Sequence, residues 1–193
     1  MTVSRETEAL QKYASLIRKW NPAINLVAPS TLSEVEIRHI ADCRQLVEAS
    51  REAVGTWADL GSGGGLPGIV VAICRPDLEV SLVESDKRKS AFLRTVTREL
   101  ALTNVNIVTE RIEEAKPLSS ANVSARALAP LPLLMSYVAR HLVEGGRAWL
   151  MKGRNWSSEV DEARKQWQFA LRVHQSETDP DAAILEIADI CHG

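Results

Sequence analysis

Apolar positions along this chain change their spacing near residue 55. Before that point Leu10, Tyr13, Leu16, Ile17 and Trp20 recur every three or four residues, the period of one buried helix face. The spacing predicts an amphipathic helix over 5–20, stopped by Asn21-Pro22. Thr31 and Ser33 each stand three residues before a glutamate, Glu34 and Glu36. This capping-box pattern opens a second helix that runs to about Ser50.

Beyond residue 55 short apolar runs alternate with helical stretches. VGTWADL, VSLVE, VNIVT, NVSARA and GGRAWLM read as five successive strands. LPGIVVAIC, with Pro67 in its first turn, and residues 86–100 and 131–143 read as helices among them. A further helix is expected over 158–170, started by Ser158 with Asp161. LRVHQ and AILEIAD have no helix between them and read as an antiparallel pair at one edge. The class that follows is α/β: a mostly parallel sheet covered on both faces, with an antiparallel edge strand and an N-terminal helical extension. The expected division is 1–50 for the extension and 51–193 for the sheet domain.

Composition narrows the function. The 193 residues are 45% hydrophobic and 25% charged, with a formal net charge of −2. A dedicated DNA or RNA binder is usually strongly basic, so general affinity for nucleic acid is not expected; a localised basic surface stays open. No apolar run of 18 residues suggests a membrane partner, and the N-terminus lacks a secretory apolar segment, so a cytoplasmic protein is expected. Cys43, Cys74 and Cys191 form no paired motif, and His39, His141, His174 and His192 show no ligand spacing, so no metal is expected. No extended apolar helix face is left over, which favours a monomer.

The chemistry concentrates in DLGSGGGLPGI, residues 59–69. Two registers run through it. Gly63, Gly65 and Gly68 spell the dinucleotide fingerprint, whereas Asp59, Gly61, Gly63 and Gly65 spell D-x-G-x-G-x-G, the pattern of enzymes that use S-adenosylmethionine (SAM). The first strand runs straight into Gly61, which puts Asp59 at its carboxyl end beside the ligand crevice. A carboxylate there suits the cationic amino acid part of SAM and would repel a pyrophosphate. Glu84, ending the second strand, is spaced to hold a ribose hydroxyl in either case. The reading favours SAM, with a nicotinamide dinucleotide as the alternative.

Absences bear on the acceptor. The N/D-P-P-Y/F/W loop used to methylate exocyclic amines is replaced by ALAPLPLL. The Pro-Cys pair used at pyrimidine carbon-5 is missing, because Asp42, Ile73 and Ile190 precede the three cysteines. A reaction needing neither base nor covalent nucleophile fits this inventory, and guanine N7, with a lone pair and no proton to lose, is one such acceptor.

WNPAINLV, RHIADCRQL, DLGSGGGLPGI, LVESDKRKSAFLRTV, LTNVNIVTERIEE, ARALAPLPLL and GGRAWLMKG follow one another over roughly residues 19–153. Together they resemble the bacterial RsmG/GidB family, which methylates guanine N7 in the 16S rRNA loop near the decoding site. The resemblance implies a class I SAM-dependent methyltransferase (Rossmann-like) fold and 16S rRNA of the small ribosomal subunit as partner. It also implies cofactor contacts at Gly61, Leu66, Ile112, Glu113 and Arg126, with Glu84 on the ribose. A backbone N–H and carboxylate at Ile112-Glu113 would frame the adenine amino group; otherwise Glu113 is a solvated glutamate at a helix start. The chain differs from the usual family pattern at Ala125, where serine is common, and at Asn122, where aspartate is common.

Arg126 lies in an apolar stretch and should meet an anion: Asp59, a cofactor carboxylate or a phosphate. Together with Lys152, which ends the fifth strand, it is a candidate for positioning the reacting groups. Lys152, Arg38 and His39 are the substrate candidates, although Arg38 and Asp42, four apart, also read as an intrahelical ion pair. Lys87, Arg88, Lys89, Arg94 and Arg98 form either a solvated face or, with Arg126, Lys152 and Arg154, a local RNA-facing surface. A small-molecule methyltransferase and a SAM- or nucleotide-binding regulator stand as the competing functions.

Overall fold

The computed structural model describes residues 3–193. Helix α1 (Val3–Ile24) is followed by a 3-10 turn (Pro29–Glu34) and a π-helical turn (Glu36–Ile40) that leads into α2 (Ala41–Ala49). Strands and helices then alternate: β1 (Thr56–Leu60), α3 (Gly68–Cys74), β2 (Glu79–Val83), α4 (Lys87–Glu99), β3 (Val105–Val108), β4 (Ser120–Arg126), α5 (Leu131–His141), β5 (Leu142–Lys152) and α6 (Trp156–Ala163). The chain closes with β6 (Trp167–Gln175) and β7 (Ala183–His192). All seven strands form one sheet in the order β3-β2-β1-β4-β5-β7-β6. The first five are parallel, and β7 runs antiparallel to both β5 and β6. No helix among the described residues is long and apolar enough to cross a membrane.

Both sheet faces are covered, as near-continuous apolar strands require. On one face Tyr13, Ile17, Leu46, Ile69, Ile73, Phe92 and Leu93 of α1–α4 are fully buried together with Trp57. On the other, Leu131, Met135 and Val138 of α5 and Val160 of α6 pack over Ala58, Leu60, Val123 and Leu150. Each large side chain removed from water in this way contributes roughly 1.5–3 kcal/mol.

Three local expectations give way to tertiary structure. Helix α1 continues through Pro22, because the proline sacrifices one hydrogen bond near the helix end while its neighbours are docked. Trp20 packs on Phe92 with ring centroids 5.7 Å apart. The buried Asn21 side chain accepts the backbone N–H groups of Leu26 and Val27, both at 2.8 Å. The capping boxes do not form: Glu34 and Glu36 are paired with Arg38 and Arg18, and the Thr31 hydroxyl donates to the Ala28 carbonyl instead. Helix α6 ends at Ala163, and the remainder of the expected helix is a turn over 164–166 and the start of β6. Trp167, Phe169 and Leu171 alternate there toward the second core, a period of two that pairing with β7 enforces.

Candidate active site

Strands β1, β2 and β4 deliver their carboxyl ends to one edge of the sheet, the place where ligands bind in open α/β folds. The glycine loop is fastened there from several sides. Ser62 donates its backbone N–H to the Val83 carbonyl at 2.9 Å and its hydroxyl to the Asp59 carbonyl at 2.9 Å. The Gly63 N–H donates to Glu84 Oε2 at 2.8 Å. From α1, the buried Tyr13 hydroxyl donates to the Gly64 carbonyl at 2.6 Å.

The glycines divide by task. Gly63, at φ +56°, has only the Gly61 carbonyl near the place of a Cβ, at 3.8 Å, so its backbone is bare and turned as only glycine allows cheaply. Gly61 accommodates Leu128, whose Cδ1 lies 2.5 Å from where a Cβ would stand. Gly65 faces the core: a Cβ there would sit 2.5 Å from Ile69 Cγ1 and 3.0 Å from the Tyr13 hydroxyl. Its φ of +88° and this packing each call for glycine.

Asp59 occupies a different place from the one its sequence position suggests. It is fully buried beneath the loop and does not line the cavity. Its carboxylate accepts the Gly68 N–H at 3.2 Å and the Ser124 hydroxyl at 2.7 Å, tying β1 to the start of α3 and to β4. Burial pushes its pKa up to about 6, against the hydrogen bonds from Ser124, Ser62 and Gly68.

Above the loop lies a cavity of about 460 Å³ lined by Gly61–Gly64, Leu66, Glu84, Lys89, Ile112, Glu113 and residues 126–129. Both Glu84 oxygens are placed by backbone donors, Gly63 N–H on one and Asp86 N–H at 2.7 Å on the other. Ile112 is held by a histidine: His141 Nε2–H donates to the Ile112 carbonyl at 2.9 Å while Nδ1 accepts the Leu118 N–H at 3.3 Å. Burial lowers the pKa of this imidazole, and the two bonds fix its neutral tautomer. Bare backbone, a fixed carboxylate on one wall and an apolar residue beside a second carboxylate on the other fit the loop, ribose and adenine contacts of SAM. The volume lies in the range of small-molecule sites.

A larger groove of about 1190 Å³ adjoins this cavity, and residues Arg126–Ala129 line both. Arg126 forms no ion pair with Asp59 and is mostly buried. Its guanidinium donates to His39 Nδ1 at 3.0 Å and to Asp42 Oδ2 at 3.4 Å. Because arginine only donates, His39 carries its proton on Nε2 and gives it to the Thr31 hydroxyl at 2.8 Å. Burial, then Arg126 and Arg38, bring the His39 pKa down to about 4. Arg38 is paired with Glu34 and not with Asp42, since the π-helical turn over 36–40 widens the spacing and rotates the two residues apart. Ala127, at φ +50°, holds the shared wall in a left-handed turn.

Lys152 is engaged more deeply than an RNA-contacting lysine. Its ammonium, mostly buried, donates to the Ala129 carbonyl at 2.9 Å and pairs with Glu159 at 2.5 Å. On α4, Lys89 reaches the cavity, Arg88 donates to the Ala23 carbonyl and Arg94 to the Thr109 hydroxyl. Arg126 and Lys152 are both paired with carboxylates, so of the two readings offered by the sequence they favour the solvated face for the basic residues of α4. Asn122 and Ala125 also lie away from the cavity. Asn122 bonds to Val54 and Thr56 at the opposite end of β1, and Ala125 is core.

The sequence model of the GidB family, rRNA small subunit methyltransferase G, matches residues 6–182. The chain belongs to this family. A protein of Paracoccus denitrificans named ribosomal RNA small subunit methyltransferase G is 64% identical over the whole of both chains. A Cereibacter sphaeroides protein of the same name is 47% identical, covering all of this chain and 94% of the relative. Among solved structures, a mutant of MtNAS in complex with S-adenosylmethionine superposes with a TM-score of 0.61 at 15% identity, over 96% of this chain and 72% of that one. That likeness shows the class I methyltransferase fold.

Within this family member, sequence reasoning overlooked Tyr13 as a support of the loop and Thr178, whose hydroxyl donates to Asp42 at 3.0 Å. The one signal for Tyr13 was a hydroxyl on an otherwise apolar helix face. Thr178 carried none, since the contact joins residues 136 positions apart.

Proposed function

We propose that the protein transfers a methyl group from SAM to N7 of a guanine in the 16S rRNA of the small ribosomal subunit. SAM, when bound, supplies a methyl group activated on a sulfonium. The residues of the chain bind and orient: Glu84 accepts the ribose hydroxyls, Ile112 and Glu113 frame the adenine, and the Gly61–Gly64 backbone and Leu66 border the amino acid part. Arg126 stands at the wall where cavity and groove meet.

The composition of the groove carries this reading. Its only imidazole, His39, has both nitrogens committed and a pKa near 4, so it offers no general base at neutral pH. Methylation of an amine ends with a proton to remove, whereas N7 accepts a methyl through its lone pair and leaves a purine cation. Five carboxylates line the groove (Glu34, Asp42, Glu159, Glu177 and Asp179) against Arg38, Arg126 and Lys152. An acidic surround favours a cation that develops during transfer, and catalysis rests on positioning.

The same acidity makes the groove a receptor for a base and a poor track for phosphates, so the target nucleotide enters unstacked from its neighbours. Recognition of the remainder falls to the shape of a folded particle, met by a cytoplasmic monomer. Labelled methyl transfer from SAM to small subunits lacking the modification tests this. The expected result is label in a single N7-methylguanine of 16S rRNA, lost in Arg126→Ala. An enzyme that binds SAM and labels neither subunits nor free 16S rRNA overturns it.

A further inference from the structure

The groove contains one carboxylate whose surroundings differ from the rest. Glu34, Glu177 and Asp179 are exposed at the rim, Glu34 pairing with Arg38 at 2.7 Å. Glu159 is occupied by Lys152 at 2.5 Å and by the Leu131 N–H at 2.7 Å. Asp42 is held differently, by single contacts on opposite oxygens: the Thr178 hydroxyl at 3.0 Å on Oδ1 and Arg126 at a long 3.4 Å on Oδ2. Its side chain keeps 23% of its surface open. A carboxylate has about four lone-pair directions, so Asp42 is fixed in place and still has acceptor capacity toward the groove.

From this we infer that Asp42 is the residue that selects guanine, accepting the N1–H and the exocyclic N2 amine of the target base. The inference rests on the proposal that guanine N7 is the methyl acceptor. On a purine, N7 lies on one edge and the N1–H and N2 donors on the opposite one. A guanine with N7 toward the cofactor cavity turns that donor pair into the groove. Flipped bases are commonly read on this edge, and two adjacent donors match the two oxygens of a fixed carboxylate. Adenine presents a bare N1 lone pair there, which a carboxylate repels.

The contact also strengthens during reaction. Charge gained at N7 spreads through the purine and makes N1–H a better donor, so its bond to Asp42 tightens as the methyl moves. An interaction stronger in the transition state than in the ground state raises kcat more than it lowers KM. Asp42 is thereby a specificity residue with a catalytic component.

The test uses the full-length enzyme and small subunits reconstituted with 16S rRNA bearing either guanosine or inosine at the target position. Inosine lacks only the N2 amine. The wild type should prefer guanosine by about 10- to 100-fold in kcat/KM, the size of a lost base-edge contact. Asp42→Asn, of nearly the same shape, should lose a similar factor on guanosine, mostly in kcat, and its preference over inosine should shrink toward unity. SAM affinity should be unchanged. Preference kept in full, or equal losses on both substrates, overturns the inference and leaves Asp42 as a tether of Arg126. Loss of SAM affinity in the variant overturns it in the same way. Thr178→Val, which removes only one support, should weaken the preference partially, and a wild-type preference there also counts against it. Wild-type label at an atom other than guanine N7 brings down the proposed function and this inference together, whereas label at N7 with an unaltered preference brings down this one alone.

Discussion

Replacing His39 with glutamine should make the protein lose less stability than the wild type as the solution is acidified. In the folded chain the imidazole titrates near 4, against 6.5 when unperturbed. Between those values the unfolded chain takes up a proton that the folded chain refuses, so the wild type loses stability as pH falls from 6.5 toward 4. At 1.36 kcal/mol per pK unit the full loss is about 3 kcal/mol at most. Asp59 acts in the opposite direction. Its pKa is raised from 3.8 to about 6, so its contribution is present at low pH and is lost as pH rises through 6, again by about 3 kcal/mol at most. The two oppose each other between pH 4 and 6, while His141, whose pKa burial also lowers, adds the same slope to wild type and variant. His39→Gln offers an acceptor to Arg126 and a donor to Thr31 without titrating, so it removes the His39 slope and leaves the others in place. Urea unfolding of both proteins at pH 4, 5, 6 and 7 measures the difference directly. Parallel curves for variant and wild type would refute the reasoning, because they would mean that His39 titrates alike in the folded and unfolded chains.

Gly68→Ala would place a methyl 2.3 Å from Leu82 Cδ2 and 2.7 Å from Asp59 Oδ2; thermal unfolding should show a loss of at least about 1–3 kcal/mol. Ala127→Gly should relieve the left-handed strain in the shared wall and raise stability by about 0.5–1 kcal/mol, measured by urea unfolding; a loss of similar size would mean that the turn is unstrained. Lys152→Met should slow methyl transfer about 10- to 100-fold by freeing the Ala129 carbonyl and shifting the wall, measured as the initial rate of labelled methyl transfer.

The alternation of strands and helices, and with it the sheet, was legible because each element after residue 55 buries a run matched to its own period. The N-terminal region was legible only in outline. Pro22 and the Thr31 and Ser33 patterns are local signals, and they lost to contacts supplied from afar by Phe92 and Arg18. Within the site, the places of Glu84 and Gly63 on the cavity wall were readable, because both follow closely on the end of a strand. Asp59 was not, since its place at the strand end is equally that of a ligand and of a support, and only depth separates the two. Arg126 was rightly expected to find an anion, but its partner Asp42 lies 84 residues away and was assigned to Arg38, a pairing that an undisturbed α-helical register would have given.

The bond from Tyr13 to Gly64 spans 51 residues and makes the first helix part of the cofactor loop's scaffold. A chain trimmed to its sheet would keep every glycine and lose the fastening that sets their arrangement. Helix α1 precedes α3 and α4, the helices it packs against, so the loop's fastening joins the earliest helix of the fold to elements made after it. The same dependence gives any designer of a minimal methyltransferase a specific replacement to make: an acceptor-seeking hydroxyl beneath the third glycine of the loop, held by something rigid.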